Sequence, residues 1–392
     1  MERINISNVA SRAKGDINYL RILVIASYAR SVLQFRGALL ASWLERGHEV
    51  HLCCPLKEDC GELLTWANTE GITLHNLPFK RHSIGLFSNL ALCMRLVTLV
   101  SETRPEAIFS YTLKPVVFGS LIGRVMKVRH IFALVTGRGE VYSRKRGGLS
   151  LYVVRPIVTF LYQIAFRSAT KVIFQNEDDL AFFKSLGVIQ NERGKARVVD
   201  GSGVDSVFYG PVAQPQPPVF LFVGRYRVAK GFYDFMKAVD IANQDLGNSG
   251  IAIAGWFDGD KEIELENVND WIKRNEVRDW GFLRDVRDAI ANASVIVLPS
   301  YGEGVPRSVL EAMSMSRAVI TTDAPGCKEV VDDGYNGYCI RVGDVNELAR
   351  ALVKCASNPE KLVEMGMRSR TMILNRFEVR LVNSKISELL DL

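Results

Sequence analysis

Val295-Ile296-Val297-Leu298-Pro299-Ser300-Tyr301-Gly302-Glu303-Gly304-Val305-Pro306-Arg307-Ser308-Val309-Leu310-Glu311-Ala312-Met313 decides the fold of this 392-residue chain. Its opening run, Val295 to Pro299, is apolar and β-branched, as a strand buried in a parallel sheet should be. Gly302 and Gly304 follow, and Pro306 suits the first position of a helix, where its missing N–H costs nothing. Val309, Leu310, Ala312 and Met313 then share one helical face. A strand, a glycine turn and a helix N-terminus present backbone N–H groups and a positive dipole end, an arrangement that favours a phosphate. Two carboxylates stand in this frame: Glu303 in the turn, at the mouth of the site, and Glu311 in the second helical turn.

Outward from this stretch the chain alternates strands and helices. In the first half, strands are expected at 21–27, 49–54, 72–74, 107–111, 130–136 and 171–174. Helices are expected at 35–45, 90–102, 116–126, about 150–167 and 177–186. Pro211, Pro215, Pro217 and Pro218 mark a linker. A second alternation begins at Val219 and carries helices at 233–243 and about 262–274, with strands at 251–254 and 318–322. Such alternation implies parallel strands joined by right-handed crossovers. The expected fold class is therefore α/β, with two doubly wound, Rossmann-like domains.

The bulk numbers suit that reading, since 392 residues supply two full cores. The seven cysteines show no C-x-x-C pairing and no histidine partner at finger spacing, which points to reduced, mainly buried thiols in a cytosolic protein. The apolar run from Ile22 to Ala26 is too short for a signal peptide. The stretch 149–166 is interrupted by Arg155 and Pro156, short of the ~20 apolar residues that a spanning helix needs. Charge is uneven: residues 1–200 carry 27 Lys/Arg against 16 Asp/Glu, and the remainder 22 against 27. The basic first half asks for an anionic partner or a solvated surface. Arg144-Lys145-Arg146 beside the apolar residues from Leu149 suits an anionic membrane face, and a solvated turn beside a core helix suits it equally. Nucleic acid is disfavoured, because no binding module is present and the charge forms no continuous run.

The quoted stretch resembles the E-x7-E signature of family-4 retaining glycosyltransferases, which use nucleotide sugars and have the two-domain GT-B fold. The likeness continues through Ala318–Val331 and Gly334–Gly337, and Gly224-Arg225 with Lys230-Gly231 resembles the family's diphosphate-binding element. The resemblance implies an acceptor-binding domain over residues 1–208 and a nucleotide-sugar domain over 209–378. It also implies a last helix, 379–392, that crosses back to the first domain. It further implies that Arg225 and Lys230 stabilise the departing diphosphate, for which a guanidinium fork and a mobile ammonium are both suited. Glu303 is assigned to the donor sugar, Gly304 and Val305 to phosphate or sugar hydroxyls, and Glu311 to the ribose diol. Phe282, in a turn resembling the family's G-[WF]-x-x-D element, is assigned to the base pocket or to the core.

In the first half, Phe35-Arg36-Gly37 is read as opening a helix after an irregular loop, with Gly37 letting the backbone approach the diphosphate or the acceptor and Arg36 near the acceptor. Thr136-Gly137-Arg138-Gly139-Glu140 resembles the T-G-x-G element of members that build bacterial surface and lipid-linked glycans. Gly137, Arg138 and Glu140 are acceptor candidates, and a plain tight turn is the alternative. No histidine lies in that loop, and no catalytic histidine is assigned. Asp258-Gly259-Asp260 reads as a surface turn, so no metal and no cofactor is expected.

The expectation is a cytoplasmic enzyme on the inner face of the membrane. It moves a hexose or N-acetylhexosamine from a UDP-sugar to a saccharide or polyprenyl-diphosphate acceptor, with retention. The alternatives are a UDP-sugar epimerase and an inactive sugar-nucleotide-binding partner on the same fold.

Overall fold

The computed structural model describes residues 19–56, 60–77, 86–143, 149–189, 194–257, 259 and 263–392. His82, the basic run 144–146, and Asp258 and Asp260 lie outside the described residues.

Seven parallel strands form the first sheet: β1 (Arg21–Ile25), β2 (Glu49–Cys54), β3 (Thr73–Asn76), β4 (Ala107–Tyr111), β5 (His130–Val135), β6 (Lys171–Phe174) and β7 (Ala196–Val198). Their spatial order is β3-β2-β1-β4-β5-β6-β7, so the winding reverses between β1 and β4. Between them run α1 (Ala29–Glu45), α2 (Gly61–Glu70), α3 (Leu86–Thr103), α4 (Leu113–Val125), α5 (Glu140–Ser143), α6 (Leu149–Ser168) and α7 (Glu177–Ser185). Each central strand is buried along nearly its whole length, which is why β4 reads Ala-Ile-Phe-Ser-Tyr with little alternation.

The second sheet holds β8 (Val219–Tyr226), β9 (Gly250–Phe257), β10 (Arg278–Asp279), β11 (Val295–Leu298), β12 (Ala318–Thr322) and β13 (Gly337–Ile340). Its order, β10-β9-β8-β11-β12-β13, reverses between β8 and β11. Its helices are α8 (Phe232–Ala242), α9 (Leu265–Arg274), α10 (Arg287–Ala291), α11 (Arg307–Ser314), α12 (Val345–Ala356) and α13 (Pro359–Met372). A single apolar core surrounds this sheet, with Phe220, Phe222, Phe232, Phe235 and Trp271 fully buried.

The last helix, α14 (Val379–Leu390), packs in the core of the first sheet rather than the second. Val382, Ile386 and Leu390 are buried there, each worth roughly 1.5–3 kcal/mol of transfer free energy. Trp43 Nε1 donates to Ser387 Oγ at 3.0 Å, and Lys171 Nζ pairs with Asp391 at 2.8 Å.

Two local expectations are corrected. Helix α1 begins at Ala29, not at Phe35, and its buried stripe Ala29, Val32, Arg36, Leu39, Leu40 and Trp43 follows helical spacing throughout. Gly37 is consequently in mid-helix against Trp66, and its N–H belongs to the helix ladder rather than to a ligand. Pro306 is the N-cap of α11, one residue before the helix proper, with extended backbone at ψ 109.

Candidate active site

The quoted stretch folds as strand β11, turn and helix α11, at the point where the second sheet reverses. Open α/β sheets bind ligands at such points, outside the carboxyl ends of the strands. Beside it, β8 ends at Tyr226 and leads into a short 3-10 turn, Val228–Lys230, before α8. Arg225 therefore belongs to the strand, in register with Trp256 of β9, and Lys230 to the turn that follows.

Lys230 and Glu303 meet. Lys230 Nζ lies 2.5 Å from Glu303 Oε1, and Ser300 Oγ donates to the same oxygen at 2.8 Å. Their side chains are 23% and 13% exposed, so this ion pair is only weakly screened. Burial, with the Glu303 charge acting in the same direction, pushes the Cys327 thiol up to about 12.

Glycines at two positions make the turn possible. A Cβ on Gly304 would lie 2.2 Å from Gln175 Oε1 and 2.7 Å from the Thr136 carbonyl, both in the first domain. Gly326, at φ +75, brings its Cα so near the turn that a Cβ would lie 2.2 Å from the Gly304 carbonyl. The Glu303 N–H is taken by the Pro325 carbonyl at 2.9 Å. Among the described residues the Gly304 and Val305 N–H groups have no acceptor, which leaves two donors at the start of α11 for an anion.

Glu311 is not an isolated carboxylate. Arg307, one helical turn earlier, donates from Nε at 3.0 Å, and Arg307 Nη1 also donates to the Gly203 carbonyl in the segment joining the domains. Tyr209 adds a side-chain hydrogen bond. Burial nevertheless dominates and raises the Glu311 carboxyl above the ordinary carboxylate range, against the opposing effect of Arg307. Arg307 and Tyr209 were not foreseen as site residues; the i,i+4 spacing of Arg307 and Glu311 was the signal.

The first domain reaches the same turn. Asn176 caps α7 by accepting from Asp179 N–H at 2.8 Å. Its Nδ2 donates to the Gly304 carbonyl at 2.6 Å and to the Glu303 carbonyl at 3.4 Å. Buried Asp179 accepts from Asn176 at 3.2 Å and from Arg138 Nε at 2.8 Å. Arg138, an acceptor candidate, has a structural role here. Its guanidinium is held by Asp179 and the Asp178 carbonyl and lies 4.5 Å from the Phe182 ring centroid, so it braces α7. Gly137 faces the Gly304 backbone across the interface, while the Glu140 side chain lies outside the described part of the structure.

Phe282 is not core. It is 47% exposed, edge-on to Trp256 at 5.1 Å, with Arg30 of the first domain 5.4 Å from its ring centroid. Arg36 is buried in the first domain beside Tyr111. The described histidines lie away from the turn: His51 bonds His75 and Glu49 in β2 and β3, His48 accepts the Leu20 N–H, and His130 opens β5.

A strand-end cation, a Lys–Glu pair and free N–H donors in the turn before a helix, at a sheet reversal, can hold a diphosphate and stabilise charge that grows on it. The chain matches the model of the glycosyl transferase 4-like domain over residues 34–199 and that of glycosyl transferases group 1 over 217–358. It is 25% identical to the N,N'-diacetylbacillosaminyl-diphospho-undecaprenol alpha-1,3-N-acetylgalactosaminyltransferase of Campylobacter jejuni, covering 85% of this chain and 88% of that one. It is 22% identical to the UDP-Gal:alpha-D-GlcNAc-diphosphoundecaprenol alpha-1,3-galactosyltransferase of Escherichia coli, covering 87% and 88%. Anabaena HepE, solved with UDP and glucose, superposes with a TM-score of 0.74 at 19% identity, covering 95% of this chain and all of that one. With both halves matched in order and the two-sheet architecture shared, the chain belongs to the GT-B glycosyltransferases of the family-4-like type.

Proposed function

We propose that this glycosyltransferase moves a hexose or N-acetylhexosamine from a UDP-sugar to a saccharide or polyprenyl-diphosphate-linked acceptor in surface-glycan assembly. The anomeric configuration is retained and no metal is needed. The observation that carries the reading is the Lys230–Glu303 pair in the same turn as the Gly304 and Val305 N–H groups, which have no acceptor among the described residues. Relatives that act on diphospho-undecaprenol substrates and a like-folded protein that binds UDP support the donor and acceptor classes.

In this reading Arg225, Lys230 and the α11 N-terminus take up the charge of the departing UDP as its bond to the anomeric carbon breaks. The acceptor oxygen forms its bond to that carbon on the same face, and its proton passes to the leaving phosphate. Glu303 orients the donor sugar. Glu311, held by Arg307, accepts from the ribose hydroxyls, and Phe282 stacks against the base.

Contact with a membrane is part of the proposal. No described helix is long and apolar enough to cross a bilayer. On α6, however, Tyr152 is 78% exposed, and Val153, Ile157 and Phe160 are exposed with it, a surface suited to the interfacial region of a cytoplasmic membrane face.

The test is product analysis with a panel of UDP-, GDP- and ADP-sugars and a short-chain polyprenyl-diphosphate saccharide, with and without chelator. NMR of the new linkage reads its configuration. Transfer from a UDP-sugar alone, giving an α-linkage from an α-donor, is expected. An inverted product or turnover only with a GDP- or ADP-sugar would overturn the corresponding part.

A further inference from the structure

The chain passes between the two sheets twice. It leaves the first after β7, at Val198, and enters the second at Val219; it returns at 377–379 into α14, which packs on the first sheet. The two passages touch. The Val204 N–H donates to the Phe377 carbonyl at 2.8 Å, and the Val379 N–H to the Val204 carbonyl at 2.9 Å. Gly201 and Gly203 hold φ +70 and +67 there. A Cβ on Gly203 would lie 2.7 Å from Val379 Cα, so a side chain at this position would push the passages apart. Rotation of one sheet against the other has to work through this paired segment.

The donor-site turn and α11 lie against the same segment. Val305 packs on Gly201, where a Cβ would come 2.8 Å from the Val305 Cβ. Arg307 donates from Nη1 to the Gly203 carbonyl while its Nε holds Glu311 at 3.0 Å. Tyr209, farther along the passage, bonds Glu311 through its side chain, and its carbonyl accepts from Ser314 Oγ of α11 at 2.8 Å. An i,i+4 ion pair on a helix surface is ordinarily open to water and screened by it. Here the Arg307 and Glu311 side chains are 17% and 13% exposed, and the second arm of the guanidinium crosses to a backbone carbonyl of the passage. A planar fork holds two acceptors in a fixed relation, as a flexible ammonium does not. An ionised carboxylate offers about four acceptor positions. Arg307 and Tyr209 fill part of them at Glu311, and a vicinal diol can fill the rest.

We propose that Arg307 is a positioning residue that transmits nucleotide occupancy from Glu311 to the Gly203 carbonyl, so that a bound nucleotide fixes the passage between the domains. That role rests on the reading in which Glu311 accepts from the ribose hydroxyls. With the diol in place the carboxylate can no longer turn, and Arg307 and Tyr209 are held with it. The passage is then fixed at Gly203 and at Tyr209 together. Asn176 reaches the Gly304 carbonyl across the same pair of domains, so the passage governs how firmly the turn carrying Glu303 is held.

Hydrogen–deuterium exchange of the full-length protein, with and without saturating UDP, tests this beside calorimetric titration of UDP. In the wild type UDP is expected to slow exchange about fivefold or more at 303–305 and also at the two passages, 201–209 and 377–379. Arg307→Lys keeps a cation beside Glu311 and loses the fork. It is expected to bind UDP with nearly wild-type affinity and to gain protection at 303–305 but not at the passages. Arg307→Gln is expected to bind UDP more weakly and to show the same split at saturation; if it does not fold, Arg307→Lys decides alone. Passages protected by UDP as in the wild type in either variant would overturn the coupling. So would UDP that protects 303–305 of the wild type and leaves its passages unchanged, with the donor reading intact. Unaltered UDP affinity in Glu311→Gln would remove Glu311 from the ribose, and the route through Arg307 with it. UDP that does not bind the wild type overturns the donor reading, and the coupling falls with it.

Discussion

Asn176 of the first domain donates a 2.6 Å hydrogen bond to the carbonyl of Gly304, the central glycine of the turn in the second. The same amide reaches the Glu303 carbonyl, and Asp179 and Arg138 hold it from behind. The turn that carries Glu303 is thus shaped partly by the opposite domain. Placement of that carboxylate depends on how the two sheets dock.

Removing this hold should affect catalysis more than folding. Asn176→Ala is expected to cost about 1–2 kcal/mol of stability, because the Gly304 carbonyl and the α7 cap each lose a partner. Turnover should fall by about tenfold or more, with the dissociation constant for UDP little changed. Steady-state kinetics beside denaturant melts would show it. Undiminished turnover would mean that the turn holds its shape alone.

Arg225→Ala and Lys230→Ala should each lower kcat by roughly 100–1000-fold, the usual effect of deleting a group that stabilises developing charge. Circular dichroism should be unchanged. Lys230→Ala also strips Glu303 of its ion-pair partner, so this variant should lose donor-sugar discrimination as well.

Glu311 supplies a pH signature. Its folded pKa is raised by burial, so ionisation opposes folding: its contribution to stability is fully present below the unfolded carboxylate pKa and lost as pH rises through the folded value. Glu311→Gln should therefore be at least as stable as the wild type at neutral pH while binding UDP poorly. In the wild type, donor KM should begin to climb on acidification at a pH above the ordinary carboxylate range. A KM profile identical in Glu311→Gln would remove Glu311 from the ribose.

Gly326→Ala meets both a backbone at φ +75 and the Gly304 carbonyl 2.2 Å from the new Cβ. A loss of about 1–3 kcal/mol is expected, with a raised donor KM because the turn must move. Urea unfolding and donor titration test the two halves separately.

On the surface of α6, Tyr152→Asp combined with Phe160→Asp should leave the melting temperature unchanged, since both side chains are exposed. Co-sedimentation with vesicles containing anionic lipid should drop, and turnover of a water-soluble acceptor should persist. Undiminished vesicle binding would place the contact elsewhere.

Much of this protein is local and so was readable residue by residue. Buried parallel strands announce themselves as short, mainly apolar runs, and 49–54, 107–111, 171–174 and 318–322 match their observed bounds. The spacing of Glu303 and Glu311, and of Arg225 and Lys230, follows from a strand, a turn and a helix adjacent along the chain. The start of α1 was obscured because Arg36 interrupts an apolar stripe and Gly37 looks like a turn residue. Only packing shows that Arg36 belongs to the buried face and that Gly37 abuts Trp66. The bracing of α7 by Arg138 was hidden for a similar reason, its partner Asp179 lying 41 residues away.

Periodicity and spacing are short-range properties, so the residues alone determined the two wound sheets and their order along the chain, while the carboxylates and cations of the second site were picked out by the family resemblance. The docking of the sheets decided the rest: Asn176 against Gly304 across 128 positions, and Arg307 bridging Glu311 and Gly203. Such contacts arise when surfaces from distant segments exclude water together, and no local pattern encodes which groups then face each other.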